Sequence, residues 1–296
     1  MSKTRQLREL IAAGEFLHMP SVHDGLGGRA VEAAGFKAAF VGGYVTGASR
    51  AVSEPLLTMT EQVETAANVA ERISIPVVVD AGAGWGDALH TMRTVREFAR
   101  AGIAGLHLED QLFPKRAHYH KYVAHAIPVE EYVEKIDYAC RERAKVDPDF
   151  VIIARTDTCR FYGVEEAVMR INKAAEVGAD MGLLFPRNSD EARRAPKMAA
   201  VPLIYVQSLG NRDGRPVFSR KELQEMGYAG CIEAQFAMLH AFFHMEKALR
   251  ELAESGRYDQ LTPEQYVQCR QGIEDAIGLD EYYEIEESTV ETRRAV

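Results

Sequence analysis

Eight short β-rich apolar runs punctuate the chain, at residues 16–20, 38–42, 76–80, 105–109, 151–156, 181–186, 203–206 and 230–233. Between them, residues 60–73, 87–100, 129–145 and 164–177 repeat apolar side chains at helical spacing. Such alternation covers each strand with the helix that follows it, the pattern of a parallel sheet. The pairs Ala34-Gly35, Ala101-Gly102 and Val177-Gly178 precede strands and fit left-handed helix C-caps. Eight repeats with no long linker predict a closed (β/α)8 TIM-type barrel over residues 1–254 rather than an open doubly wound sheet. The strand pattern stops near residue 255, so residues 255–296 read as a C-terminal helical tail. Its acidic, aromatic end, Asp280-Glu281-Tyr282-Tyr283-Glu284-Ile285-Glu286-Glu287, fits either docking on a neighbouring subunit or a solvated helix.

Charge narrows the function classes. A net charge of -9 lacks the basic excess of a phosphate-binding face, which argues against nucleic acid. No apolar run approaches the roughly 18 residues of a membrane span, and residues 1–14 are too polar for a signal peptide, so the expected compartment is the cytoplasm. Cys140, Cys159, Cys231 and Cys269 lie far apart without CxxC spacing and read as buried thiols rather than a zinc or disulfide framework. A GxGxxG fingerprint is missing, and Ala83-Gly84-Trp85-Gly86 lacks the spacing of a phosphate loop.

In a barrel the chemistry gathers at the C-terminal ends of the strands. Asp80 and Glu109 end adjacent apolar runs, so their carboxylates share one rim, where unpaired charge is costly to desolvate. A divalent cation offsets that cost, and hard oxygen donors suit Mg²⁺, with Mn²⁺ as the alternative. The competing structural reading pairs these acids with Arg155 or Lys115. Arg155 has the planar fork that grips a substrate carboxylate, against a structural pairing with Asp157 or Glu109. Gly42-Gly43-Tyr44 offers successive backbone N–H groups for a second carboxylate. His118, Tyr119 and His120 follow Lys115-Arg116 in the loop after the fourth strand, where they fit general acid/base work or an incidental solvated loop.

Taken together, residues 20–24, 41–49, 80–86, 107–116, 152–157 and 221–228 resemble the isocitrate lyase and phosphoenolpyruvate mutase superfamily, and within it the methylisocitrate lyase and carboxyphosphonoenolpyruvate mutase group. The resemblance covers nearly the whole chain. It implies a (β/α)8 barrel whose C-terminal helix is exchanged within a dimer of dimers, a homotetramer, with Mg²⁺ at the barrel mouth and a small 2-oxo or 2-hydroxy carboxylic acid as substrate. By position it implies that Asp80 binds the metal, Glu109 holds its waters, Arg155 and the Gly42-Gly43 backbone grip the substrate, and His107 supports the oxyanion. Lys115 opens the catalytic loop and joins that set.

Departures from the pattern bear on the reaction. Lyases of this superfamily carry Lys-Arg-Cys-Gly-His where this chain has Lys115-Arg116-Ala117-His118-Tyr119-His120, so the proton-donating thiol is gone. The metal motif Asp-Ala-Asp stands as Asp80-Ala81-Gly82, the gating Pro-Asp as Ser53-Glu54, the Leu-Glu after strand six as Leu184-Phe185, and a serine before Gly42 as Val41. Glu54 is placed to replace a lost metal carboxylate. Val41 and Phe185 predict a more apolar pocket and a substrate with a hydrophobic portion, with Arg187, Gln207 and Asn211 as replacement polar contacts. The expectation is a Mg²⁺-dependent carbon–carbon lyase in which His118, Tyr119 or His120 returns the proton. Decarboxylase, hydrolase and mutase reactions of the same superfamily are alternatives, the phosphonate ones weakened because no asparagine occurs between Lys115 and Pro128. An alternative of another class is a non-catalytic barrel kept for assembly or ligand sensing.

Overall fold

The computed structural model describes residues 1–117, 125–257 and 259–294. Its strands are β1 (Leu17–Pro20), β2 (Ala39–Val41), β3 (Val77–Asp80), β4 (Gly105–Glu109), β5 (Val151–Thr156), β6 (Met181–Leu184), β7 (Leu203–Gln207) and β8 (Gly230–Glu233). All are parallel and form one sheet in the order β1-β8-β7-β6-β5-β4-β3-β2. A bridge between Ser21 and Phe40, with the Val22 N–H donating to the Phe40 carbonyl at 2.9 Å, brings the two edges together. This is the expected (β/α)8 barrel. Its helices are α1 (Lys3–Ala12), α2 (Gly25–Ala33), α3 (Gly43–Ser49), α4 (Met59–Arg72), α5 (Ala88–Arg100), α6 (Val129–Val146), α7 (Cys159–Tyr162), α8 (Val164–Glu176), α9 (Ser189–Met198) and α10 (Arg220–Met226). Gly35, Gly102 and Gly178, just past α2, α5 and α8, have φ of +85°, +75° and +110°, the left-handed turn expected after those helices.

Alternate strand residues divide between two apolar clusters. Leu17, Met19, Phe40, Val78, Ile153, Met181, Leu183, Ile204 and Ile232 fill the barrel interior. Val41, Val77, Val79, Leu106, Leu108, Ile152, Ala154, Leu203, Tyr205 and Cys231 pack with the helices outside it. Helix α1 closes the N-terminal end: Leu7 joins the inner cluster, and Arg8 donates to the Asp149 and Phe150 carbonyls just before β5. The opposite end is left for chemistry.

The chain divides into two compact units, Met1–Met238 and Leu239–Val296. The second holds most of α11 (Phe236–Ser255), then α12 (Pro263–Ile277) and α13 (Leu279–Glu286), none of which has a buried residue. Among the described residues, no helix is long and apolar enough to cross a membrane.

Candidate active site

The strand alternation that places Val78 inside the barrel places Asp80, Glu109 and Arg155 inward at its C-terminal mouth, and Arg155 stands beside Glu109 in the β4–β5 register. Arg155 Nη2 lies 3.0 Å from Glu109 Oε2 and 3.2 Å from Asp157 Oδ2, and Nη1 lies 3.3 Å from Asp80 Oδ2. Lys115 Nζ lies 2.5 Å from Glu54 Oε1 and 3.2 Å from Glu109 Oε1. His107 stacks on Phe40 with ring centres 5.4 Å apart and directs Nδ1 to within 3.5 Å of Asp80 Oδ1. The Gly43 N–H donates to Asp80 Oδ2 at 3.4 Å, and a Cβ on Gly43 would come within 2.9 Å of Glu54 Oε1, so only glycine admits that carboxylate here. Gly42 caps α3. The structure thus gathers Asp80, Glu109, Glu54, Lys115, His107, Arg155 and the Gly42-Gly43 backbone at one place.

The other expected residues within the described segments are engaged elsewhere. His118, Tyr119 and His120 lie outside the described residues. Tyr44 begins α3 and is half-exposed. Arg187 is 47% exposed and its guanidinium is taken by Glu191, with Nε donating to Oε1 at 2.7 Å. Gln207 shares the outward parity of Tyr205; its amide nitrogen donates to the Phe218 carbonyl and its oxygen accepts from the Phe218 N–H at 3.2 Å, which fixes the loop after β7. Val41 also faces outward, so it does not make the mouth more apolar; Phe185, packed against the inner cluster, does. The sequence reading gave Asp157 only a structural role beside Arg155 and missed Gln62, whose amide donates to the Asp80 carbonyl at 3.0 Å and so holds that strand end. Gln62 sits on the buried face of α4, and that helical position was its only signal.

Charge at the mouth does not balance. Among the described residues, four carboxylates, Glu54, Asp80, Glu109 and Asp157, pair with two permanent cations, Lys115 and Arg155. Burial alone would raise Asp80, but His107, Arg155 and Lys115 hold it well below the usual carboxylate range. Burial also lowers His107 to about 4 despite Asp80, so the imidazole is neutral. The excess falls on Glu109, which burial pushes up to about 7 against the pull of Arg155 and Lys115. Among the described residues, Glu109 Oε1 accepts no hydrogen bond although Lys115 is near it. A cavity of about 40 Å³ touches Glu54, Asp80 and Lys115 together with the apolar Leu57, Trp85 and Phe113, and a Cβ on Gly82 would meet nothing within 4 Å. Excess negative charge and hard oxygen donors suit Mg²⁺ with its waters. A tighter trio, His18, Cys231 and Glu233, has ligand atoms within 4.8 Å of one another, yet His18 and Glu233 already pair at 2.9 Å and burial pushes the Cys231 thiol up to about 12, which disfavours the ligating thiolate.

The family model for phosphoenolpyruvate phosphomutase matches residues 7–253. The chain belongs to that family. It is 34% identical to the 2,3-dimethylmalate lyase of Eubacterium barkeri over 77% of this chain and 78% of the relative. It is 32% identical to probable 2-methylisocitrate lyase 2 of Corynebacterium glutamicum over 86% and 82%. The structure of oxaloacetate acetylhydrolase in complex with 3,3-difluorooxalacetate superposes with a TM-score of 0.87 at 28% identity, covering 97% of each chain. This chain is therefore an enzyme of the PEP mutase/isocitrate lyase superfamily.

Within this phosphoenolpyruvate phosphomutase-family barrel the raised carboxyls carry a pH signature. Burial and then Asp157 push Asp110 up to about 6, so it and Glu109 keep protons in the folded chain that the unfolded chain releases at lower pH. Their stabilising contribution is full below the ordinary carboxylate range and is lost as pH rises through about 6 to about 7. The urea midpoint of the metal-free protein is expected to fall between about pH 5 and about pH 8, and E109Q/D110N is expected to flatten that slope. Equal slopes in both proteins would contradict the assignment.

Proposed function

We infer that the enzyme is a Mg²⁺-dependent carbon–carbon lyase acting beside the carboxylate of a small 2-hydroxy or 2-oxo acid. The observation that carries this reading is the convergence of Asp80, Glu109, Glu54, Lys115 and Arg155 at the barrel mouth, with more carboxylates than cations among the described residues. Asp80 would hold the ion directly, with Glu109 and Glu54 on its waters; Mn²⁺ has the same donor preference. When bound, the ion supplies charge stabilisation to a developing enolate. Arg155 grips the carboxylate next to the reacting carbon, the Gly43 N–H and neutral His107 donate to negative oxygen, and Lys115 keeps Glu54 and Glu109 in place.

In the cleavage a base takes the proton of the 2-hydroxyl and the C2–C3 bond breaks. C2 becomes a 2-oxo acid, and the bond's electron pair passes to C3, which takes up a proton. His118, Tyr119 or His120 is the proposed proton donor in place of the thiol absent at Ala117. With Mg²⁺ present, 2,3-dimethylmalate, the substrate named for one relative, is expected to release a 2-oxo acid measurable as its hydrazone. Oxaloacetate processed with no cleavage of any 2-hydroxy acid would move the reading to decarboxylation or hydrolysis.

We also place the enzyme in the cytoplasm as a homotetramer. The half-exposed Phe242, Phe243, Leu249, Tyr282 and Ile285 on α11 and α13 support assembly, and the buried free thiols Cys140, Cys159 and Cys231 fit a reducing compartment.

A further inference from the structure

The loop between β7 and α10 carries a guanidinium that the cluster around Asp80 does not use. Asn211 clasps the Arg215 backbone, its Nδ2 donating to the Arg215 carbonyl and its Oδ1 accepting from the Arg215 N–H, each at 2.9 Å. The Tyr205 hydroxyl donates to the Pro216 carbonyl at 2.6 Å, and the Phe218 N–H donates to Gln207. Held on both sides, the loop fixes the Arg215 side chain, 13% exposed, with Cζ 4.8 Å from the centre of the Phe185 ring. The same ring carries Arg155, Cζ 5.1 Å from its centre. Two guanidinium groups therefore share one aromatic platform, directly after β6 and against the inner cluster at the barrel mouth.

Their donors are spent differently. Arg155 is surrounded by Asp80, Glu109 and Asp157. Arg215 donates from Nε to Asp213 Oδ2 at 2.8 Å, while Nη1 and Nη2 have no acceptor among the described residues. A guanidinium resting on a ring keeps its in-plane N–H groups available, and a terminal pair of them matches a carboxylate.

We propose that Arg215 binds the second carboxylate of a dicarboxylic substrate, the one remote from the carbon gripped through Arg155. This rests on the lyase reading of the same site and names the residue that selects a dicarboxylate over the matching monocarboxylate. Arg215 is then a specificity residue that Arg187 and Gln207 cannot supply, because their polar groups are committed to Glu191 and Phe218.

Calorimetry on the full chain with Mg²⁺ separates the two layers, using oxalate as the enolate mimic, and malate and 2-hydroxybutanoate as acids of equal chain length with and without the distal carboxylate. The wild type is expected to bind malate about tenfold to about a hundredfold more tightly than 2-hydroxybutanoate, in line with a charged hydrogen-bonded pair. In R215M that preference is expected to vanish through loss of malate affinity while oxalate binding stays within about twofold, and R215K is expected to restore part of it. An unchanged preference in R215M, or an equal loss for oxalate and malate, overturns the assignment. Failure of the wild type to bind oxalate overturns the underlying reading of the mouth, and the inference with it.

Discussion

Replacing Arg155 with methionine is expected to lower kcat/KM by at least about a thousandfold, roughly 4 kcal/mol of transition-state stabilisation. Two losses combine. The substrate carboxylate loses its bidentate partner, and Asp80, Glu109 and Asp157 lose a cation that contacts all three. Methionine preserves most of the side-chain volume beside Phe185, so packing changes little. Steady-state kinetics over a range of Mg²⁺ concentrations checks this: the loss should persist at saturating metal, because a cation can neutralise the acids but cannot orient the carboxylate. A variant restored by excess Mg²⁺ would show that Arg155 serves only as a counter-charge.

The largest stability effect is expected away from the chemistry, at Arg170. This buried arginine of α8 reaches Asp110 Oδ2 at 3.2 Å and donates to the Ile127 carbonyl at 2.9 Å, tying the end of β4 to the entry of α6. The Asp110 carboxyl is fully buried and also accepts from the Thr156 hydroxyl at 2.6 Å and the Asp157 N–H at 3.1 Å. Arg170→Leu leaves that carboxylate without its cation and is expected to cost about 3 to 5 kcal/mol near pH 8. The cost should shrink near pH 5, where Asp110, pushed up to about 6 by burial, takes a proton. Denaturant titrations at both pH values, with D110N/R170L recovering most of the loss, check the mechanism; a loss independent of pH would assign it to packing.

The strand pattern was legible because barrel strands are short, apolar and punctuated by glycine, and those constraints are local. Asp80, Glu109 and Arg155 were legible for the same reason: each closes an apolar run, where the topology dictates that it faces the mouth. Parity was available but unused. Gln207 lies two residues after Tyr205 and faces outward with it, and Val41 faces outward as Val79 does. Arg187 could not be settled from sequence, since its fate depends on Glu191 one helical turn later, whose carboxylate points back at it. Arg215 was invisible because its partner ring, Phe185, comes from a different strand end, and only the folded loop brings them together.

Loss of the cysteine at Ala117 and of an acid at Gly82 makes a decayed, non-catalytic barrel the sharpest rival to the lyase reading. Titration of oxalate by calorimetry, with Mg²⁺ and then with the metal chelated, separates the two most directly. An active mouth binds oxalate only when Mg²⁺ is present, and loses that binding in D80N. Oxalate binding that ignores the metal, or no binding in either condition, would contradict an enolate-stabilising site at Asp80, Glu109 and Arg155.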